Sequence, residues 1–240
     1  MFPRLHGMFT RSARIYDEIY ASIRDYPREA AQLDALIQER RPGAQTLLDV
    51  ACGTGAHVEH LAGRYDVEGL DLDPEMLAIA HERVPDVPFH QADMTDFDLG
   101  KRFDAVVCMF SSIGYVKTEE RLRSAAASMA RHLEPGGVLI VEPWLEPDQW
   151  DLDHVGGVFV DEPQLKIARL SKPDRDGDIS TVEFHYLVGR PREVDHFTER
   201  HELGLFTVEQ HLAAFRAAGL EVEHDPEGPM GRGLYVGTRS

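Results

Sequence analysis

The 240-residue chain sets 25 Lys and Arg against 42 Asp and Glu, a formal charge of −17, with 42% hydrophobic and 28% charged residues. That composition is ordinary for a globular chain and excludes collagen, coiled coil and disorder as global descriptions. The acidic excess repels phosphates, which argues against nucleic acid or an anionic membrane surface as the main partner.

No run approaches the ~20 apolar residues of a membrane helix, and the first residues lack the apolar core of a signal peptide. Cys52 and Cys108 make no disulfide framework, so a reduced, cytoplasmic protein is expected.

Residues 28–40 space Ala31, Leu33, Leu36 and Ile37 as a helix that Arg41-Pro42-Gly43 ends. TLLDV at 46–50 is a short apolar run before glycines, the pattern of a buried parallel strand. HVEHLAGRY then reads as a helix, VEGLDL as a strand, and Pro74 to Arg83 as a helix opened by proline. VPFHQAD and FDAVVCMF are strands. Thr118 to Leu133 is a long helix, Glu134-Pro135-Gly136-Gly137 a turn, and VLIVE a further strand. This alternation predicts an α/β domain with a mostly parallel sheet.

After Pro143 the rhythm changes. GGVFV, LKIARLSK, DISTVEFHYLVG and VDHFTERHELGLF are successive strand-like segments, which predicts an antiparallel sheet inserted into the α/β domain. Residues 207–218 return to helix, with Thr207 and Gln210 spaced as a capping box and Gly219 as the stop. LEVEH and LYVG close the chain as a hairpin. The expected division is a core of residues 1–142 and 207–240 around an inserted cap of residues 143–206.

The chemistry concentrates at Asp49-Val50-Ala51-Cys52-Gly53-Thr54-Gly55, where a buried strand meets a glycine turn and then a helix. Glycine lets the backbone turn sharply and a ligand come close. Asp71, 22 positions beyond Asp49 at the end of the next strand, can accept both hydroxyls of a ribose. A dinucleotide loop would carry a third glycine, but Ala56, His57 and Val58 follow Gly55. Asp49 beside the turn would repel pyrophosphate and tolerate a cationic amino-acid end. The pattern therefore favours S-adenosylmethionine over NAD. No His or Cys spacing suits a metal.

The segment resembles motif I of the class I S-adenosylmethionine-dependent methyltransferases. Gln91-Ala92-Asp93-Met94 resembles that family's adenine-binding turn, and Leu133-Glu134-Pro135-Gly136-Gly137 resembles the turn before its fifth strand. A narrower similarity, to the N,N-dimethyltransferases of dTDP-3-amino-3,6-dideoxyhexoses in macrolide biosynthesis, rests on further segments. These are TLLDVACGTG, Asp93 to Phe103, Met109 to Tyr115, Glu142-Pro143-Trp144 and Gly228 to Leu234.

The resemblance implies a Rossmann-like sheet whose final strand is antiparallel, a small antiparallel β cap, and N-methylation of a nucleotide-linked amino sugar. It implies cofactor contacts at Asp49, Ala51, Cys52, Gly53, Gly55, Asp71, Leu72, Met76, Asp93, Met94 and Met109. Tyr16, Arg24 and Tyr26 lie on its N-terminal lid, where such residues hold the cofactor carboxylate. Met8 aligns with an aromatic residue at the substrate amine.

Tyr115, just after the fourth strand, is the candidate catalytic and substrate-binding residue, because ligands sit beyond strand ends in open α/β sheets. Arg232, between glycines, suits a diphosphate, with Ser112 and Trp144 as further substrate contacts. Cys52 is expected to pack as a small hydrophobe. His196 and His201 could line the substrate cavity, but neither carries a role. A homodimer through the cap's sheet edges stays open. So do another sugar or antibiotic acceptor, methylated at nitrogen or oxygen, an NAD-dependent oxidoreductase and a non-catalytic cofactor-binding protein.

Overall fold

The computed structural model describes residues 11–228 and 231–240. Met8 and Met230 lie outside them.

Seven strands form one sheet: β1 (Thr46–Val50), β2 (Asp66–Asp71), β3 (Phe89–Gln91), β4 (Phe103–Cys108), β5 (Leu133–Val141), β10 (Leu220–Asp225) and β11 (Leu234–Arg239), in the order β10-β11-β5-β4-β1-β2-β3. All pairings are parallel except those of β11, which runs antiparallel to both β10 and β5. The expected fold class is thus present, including its antiparallel last strand.

The helices α2 (Tyr26–Arg40), α3 (Ala56–Leu61), α4 (Pro74–Arg83), α5 (Glu119–Arg131) and α6 (Val208–Ala217) are preceded by a short lid helix α1 (Tyr16–Tyr20). Their starts are set locally. Asp25, Asp73 and Thr118 each accept a backbone N–H at a helix N-terminus, and Thr207 with Gln210 closes a reciprocal capping box. Gly219 ends α6 at φ +85°, a conformation that favours glycine.

Two buried apolar clusters sandwich the sheet. One joins Val106, Leu139, Leu122, Met129 and Phe215, and the other joins Leu33, Ile37, Leu47, Val58 and Val107. In α2 the core-facing alanine is Ala30, while Ala31 is exposed, one position away from the helical spacing read in the sequence. The helix expected over HVEHLAGRY stops at Leu61. The Glu134-Pro135-Gly136-Gly137 segment, expected as a turn, lies within β5. It absorbs a register slip, since Phe103 pairs with Leu133 but Ala105 with Val138.

Between β5 and α6 the chain builds a four-stranded antiparallel sheet from β6 (Gly156–Glu162), β7 (Leu165–Asp176), β8 (Ile179–Arg190) and β9 (Glu193–Gly204). One face carries Ile167, Tyr186 and Val188, which pack with Ile15 and Ile19 from the lid. Successive side chains alternate faces, so Arg169, Phe184, Glu199 and His201 lie on that inner face and Leu187 and His196 on the other. Among the described residues no helix is long and apolar enough to cross a membrane.

Candidate active site

The sheet changes direction between β1 and β4: β2 and β3 extend it one way and β5 the other. The crevice beyond the strand ends at such a point is where ligands bind in open α/β sheets. Here it is a cleft of about 290 Å³, roofed by the lid and the cap's inner face.

On the β1 side, Ala51 and Gly53 adopt positive φ, and the Gly53 N–H donates to Asp71 Oδ2 at 2.8 Å. The Asp73 N–H donates to Asp71 Oδ1 at 2.8 Å, which fixes the carboxylate at the cleft wall. Burial pushes the Asp71 carboxyl up against these bonds. Asp49 is more extreme. It is 2% exposed, and burial, opposed by His57 and reinforced by the Asp71 charge, raises its carboxyl to about 7. Its Oδ2 is buried and has no hydrogen-bond partner among the described residues, a demand that a cationic ligand group would meet.

Leu72, Met76, Asp93 and Met94 line the same cleft, and Tyr16, Ala51, Gly53 and Ser112 line both it and a smaller adjoining pocket. That pocket adds Tyr26, Asp49, Cys52 and Met109. Burial pushes the Cys52 thiol well up, and the side chain belongs to an apolar cluster, as expected of a small hydrophobe. The Asp93 carboxylate also accepts from Thr95 and, at 2.8 Å, from Arg121, which hold it below its ordinary range despite the cost of burial.

Two expected contacts stand elsewhere, and a third, Met8, is outside the described residues. Gly55 caps α3 at φ +75° and does not line the cleft; a Cβ there would lie 3.2 Å from that of Ala80, so close packing accounts for it. Arg24 is fully buried behind the wall. It donates to Glu29 Oε2 and reaches Glu142 Oε2 at 3.5 Å, and its guanidinium covers the Phe110 ring at 4.3 Å. Its Nη1 is a buried donor with no partner among the described residues. Glu142 Oε2 also accepts the Phe110 N–H at 2.7 Å, so this network holds Phe110 and Ser111 in left-handed backbone at the cleft rim.

On the cap side the cleft meets Tyr115, Trp144, Arg169, His201 and Arg232. Trp144 is pinned by an Nε1–H bond to Ser180 Oγ at 2.9 Å. The Arg232 guanidinium lies 4.9 Å from the Trp144 ring centre and donates to Ser111 Oγ at 3.0 Å. Arg169 donates to the Tyr20 hydroxyl at 2.9 Å and lies over the Phe184 ring. Neither guanidinium is ion-paired among the described residues. Sequence reasoning missed Arg169, although period-2 alternation from Ile167 places it on the inner face.

Comparison with known proteins decides the family. Residues 47–137 match the family described as a methyltransferase domain. The dTDP-3-amino-3,6-dideoxy-alpha-D-glucopyranose N,N-dimethyltransferase of Streptomyces fradiae is 47% identical over 228 residues, which cover 94% of this chain and 89% of that protein. The chain belongs to the S-adenosylmethionine-dependent N,N-dimethyltransferases of dTDP-amino sugars.

A second member, the dTDP-3-amino-3,4,6-trideoxy-alpha-D-glucopyranose N,N-dimethyltransferase of Streptomyces venezuelae, is 46% identical, over 94% of this chain and 97% of that one. Among solved structures, Streptomyces venezuelae DesVI superposes with a TM-score of 0.92 at 45% identity, covering 95% of this chain and 98% of the other. An S-adenosylmethionine-bound amino pentose methyltransferase from Micromonospora echinaspora gives 0.88 at 42%, covering 94% and 97%. The enzyme is a methyltransferase and its cofactor S-adenosylmethionine, in keeping with the missing third glycine.

Proposed function

We propose that this methyltransferase adds two methyl groups to the amino group of a dTDP-linked amino deoxysugar in secondary metabolism. The observation that carries the reading is the pair Arg169 and Arg232, two guanidiniums that face the cleft of a protein of charge −17 and have no acidic partner among the described residues. Such a pair suits a diphosphate, which guanidinium recognises bidentately. The aligned relatives are named for dTDP-amino sugars.

Asp71 would hold the ribose of the cofactor and Asp49 its amino-acid ammonium. Met76, Asp93 and Met94 would form the adenine end, with Leu72, Tyr16, Ala51, Gly53, Cys52 and Met109 along the wall. Arg24 would act from behind the wall through its Nη1, which has no partner among the described residues. Bound S-adenosylmethionine supplies the electrophilic methyl group.

The protein's task is then to hold a neutral amine in line with that group, about 3 Å away, and to keep water out. Ser112 and Trp144 would orient the nucleotide sugar, and Tyr115 would accept a hydrogen bond from the amine and aim its lone pair. Residues 143–206 would form the substrate cap. The two free buried cysteines accord with a cytoplasmic setting. Exposed Phe159, Leu170, Leu187 and Val194 on the cap accord with a homodimer, which light scattering would test.

The test of function is competition. S-adenosylhomocysteine release is measured with dTDP-3-amino-3,6-dideoxyglucose and with its 3-hydroxy counterpart. Turnover of the amine alone is expected. Equal turnover of the hydroxyl sugar would overturn the amine reading in favour of O-methylation.

A further inference from the structure

His201 has no part in cofactor or diphosphate binding, yet it is 2% exposed and borders the cleft. Its Nδ1 lies 2.9 Å from the Tyr115 hydroxyl. Its Nε2 faces Glu199 Oε2 at 3.9 Å, two positions earlier on the same face of β9. Glu199 is held in turn by the lid. Its Oε1 accepts the N–H groups of Arg11 at 2.9 Å and Ser12 at 3.1 Å, and its Oε2 accepts the Ser12 hydroxyl. Burial would raise the Glu199 carboxyl, but the neighbouring His201 and the bonds from Ser12 and Arg11 hold it below its ordinary value.

A dimethylating enzyme needs a route for protons. Each methyl transfer turns an amine into an ammonium, and the first product has no lone pair until it loses a proton. Inside a closed cleft bulk water cannot collect it. Tyr115 cannot do so by ionising, since burial first, and then neighbouring Tyr20, Tyr186, Asp71 and Glu199, push its phenol well above the ordinary value of 10.

We infer that Tyr115, His201 and Glu199 form a proton outlet for the methylated amine, completed when the lid docks Ser12 on Glu199. This rests on the amino-sugar reading above. With Glu199 on the Nε2 side, the imidazole carries its proton there, and Nδ1 accepts from the Tyr115 O–H. The phenolic oxygen then presents lone pairs to the substrate.

When the product ammonium gives its proton to that oxygen, the hydroxyl proton passes to His201 Nδ1. Secondary ammonium and neutral imidazole become secondary amine and imidazolium, and tyrosine is neutral before and after. The imidazolium faces the Glu199 carboxylate and releases its proton to water when the lid opens. His201 is thus a positioning and proton-accepting residue acting through Tyr115. The other charged or titratable groups around the pair are Arg169 over the Phe184 ring that abuts His201, Tyr16 and Tyr20 on the lid, Tyr186 on β8, and Asp71.

The test is steady-state and single-turnover kinetics of the full-length enzyme on dTDP-3-amino-3,6-dideoxyglucose between about pH 6.5 and 9.5, with products resolved by mass. His201→Phe should lower kcat near pH 7 by about 10²-fold, the usual scale of a lost proton-transfer partner. KM for the sugar should stay within about two-fold. The monomethyl product should accumulate, and the deficit should shrink as pH rises and the amine loses its proton unaided.

His201→Gln keeps an acceptor for the Tyr115 hydroxyl but takes up no proton, so it should stay slow near pH 7. Glu199→Gln should show the same pH dependence more weakly, with S-adenosylhomocysteine affinity reporting whether the lid still closes. A wild type that dimethylates the sugar while H201F or H201Q keeps pace at all pH values would overturn the outlet alone. A wild type that leaves the sugar unmethylated would overturn the substrate reading and the outlet with it.

Discussion

Replacing Asp49 by Asn should stabilise the ligand-free enzyme while weakening its grip on the cofactor. The Asp49 carboxyl is buried, Oδ2 has no partner among the described residues, and burial raises its pKa to about 7 against an ordinary 3.8. That difference corresponds to a ceiling of roughly 4 kcal/mol for holding the charge in the folded state. Relaxation and water entry reduce such ceilings, so a gain of about 1–3 kcal/mol is expected.

The pH dependence follows from the raised value. Between pH 3.8 and about 7 the folded enzyme keeps a proton that the unfolded chain gives up, so wild-type stability falls as pH rises through this window and then levels off. The gain of D49N should therefore be largest at pH 8, smaller at pH 5, and readable from urea unfolding at the two values. Calorimetry should show the opposite sign for ligand. Loss of a charged hydrogen bond worth about 1.5–3 kcal/mol weakens S-adenosylhomocysteine binding about 10- to 150-fold at pH 8. A variant less stable than wild type at pH 8, or one with unchanged affinity, would refute the assignment of a strained, ligand-seeking carboxylate.

Arg24→Met leaves Glu29 and Glu142 buried without their shared cation, and a loss of about 3–5 kcal/mol in denaturant unfolding is expected. Arg232→Ala should raise KM for the nucleotide sugar by at least about ten-fold, the scale of one charged hydrogen bond, and leave S-adenosylhomocysteine affinity unchanged; calorimetry with each ligand separates the two. A Cβ on Gly69 would run into the Phe89 ring and lie 2.8 Å from the Cys52 sulfur. Gly69→Ala should therefore destabilise by about 1–3 kcal/mol, as overpacked cores do, seen as a lower thermal midpoint.

What could be read in the sequence was local. Caps such as Thr207 with Gln210, the glycine turn after β1, and the change from helix–strand alternation to successive strands each depend on neighbours in the chain. Glu134 to Gly137 shows the limit, because whether a Pro-Gly segment turns or bulges depends on the strand beside it, here β4. The burial of Arg24 behind the wall was hidden for a related reason. Its partner Glu142 is 118 positions away, and no spacing distinguishes a buried ion pair from a ligand contact.

The cap shows what pattern can add. His196 and His201 differ by an odd number of positions in one strand, so only one can face inward. Each faces an apolar partner across the ladder, Leu187 for His196 and Val182 for His201, and the burial of Val182 against the exposure of Leu187 shows that His201 is the inward one. Phe110 and Ser111 gave no sign of their left-handed backbone, which the Glu142 network imposes from a different strand.

The activity comes down to two successive methylations of one amine. A mass-resolved time course of dTDP-3-amino-3,6-dideoxyglucose with excess S-adenosylmethionine tests it most directly. One added methyl group should appear, then two, with the second at the same nitrogen in the fragment spectrum. An unchanged sugar in the presence of cofactor shown by calorimetry to be bound, or methyl groups found on oxygen, would contradict it.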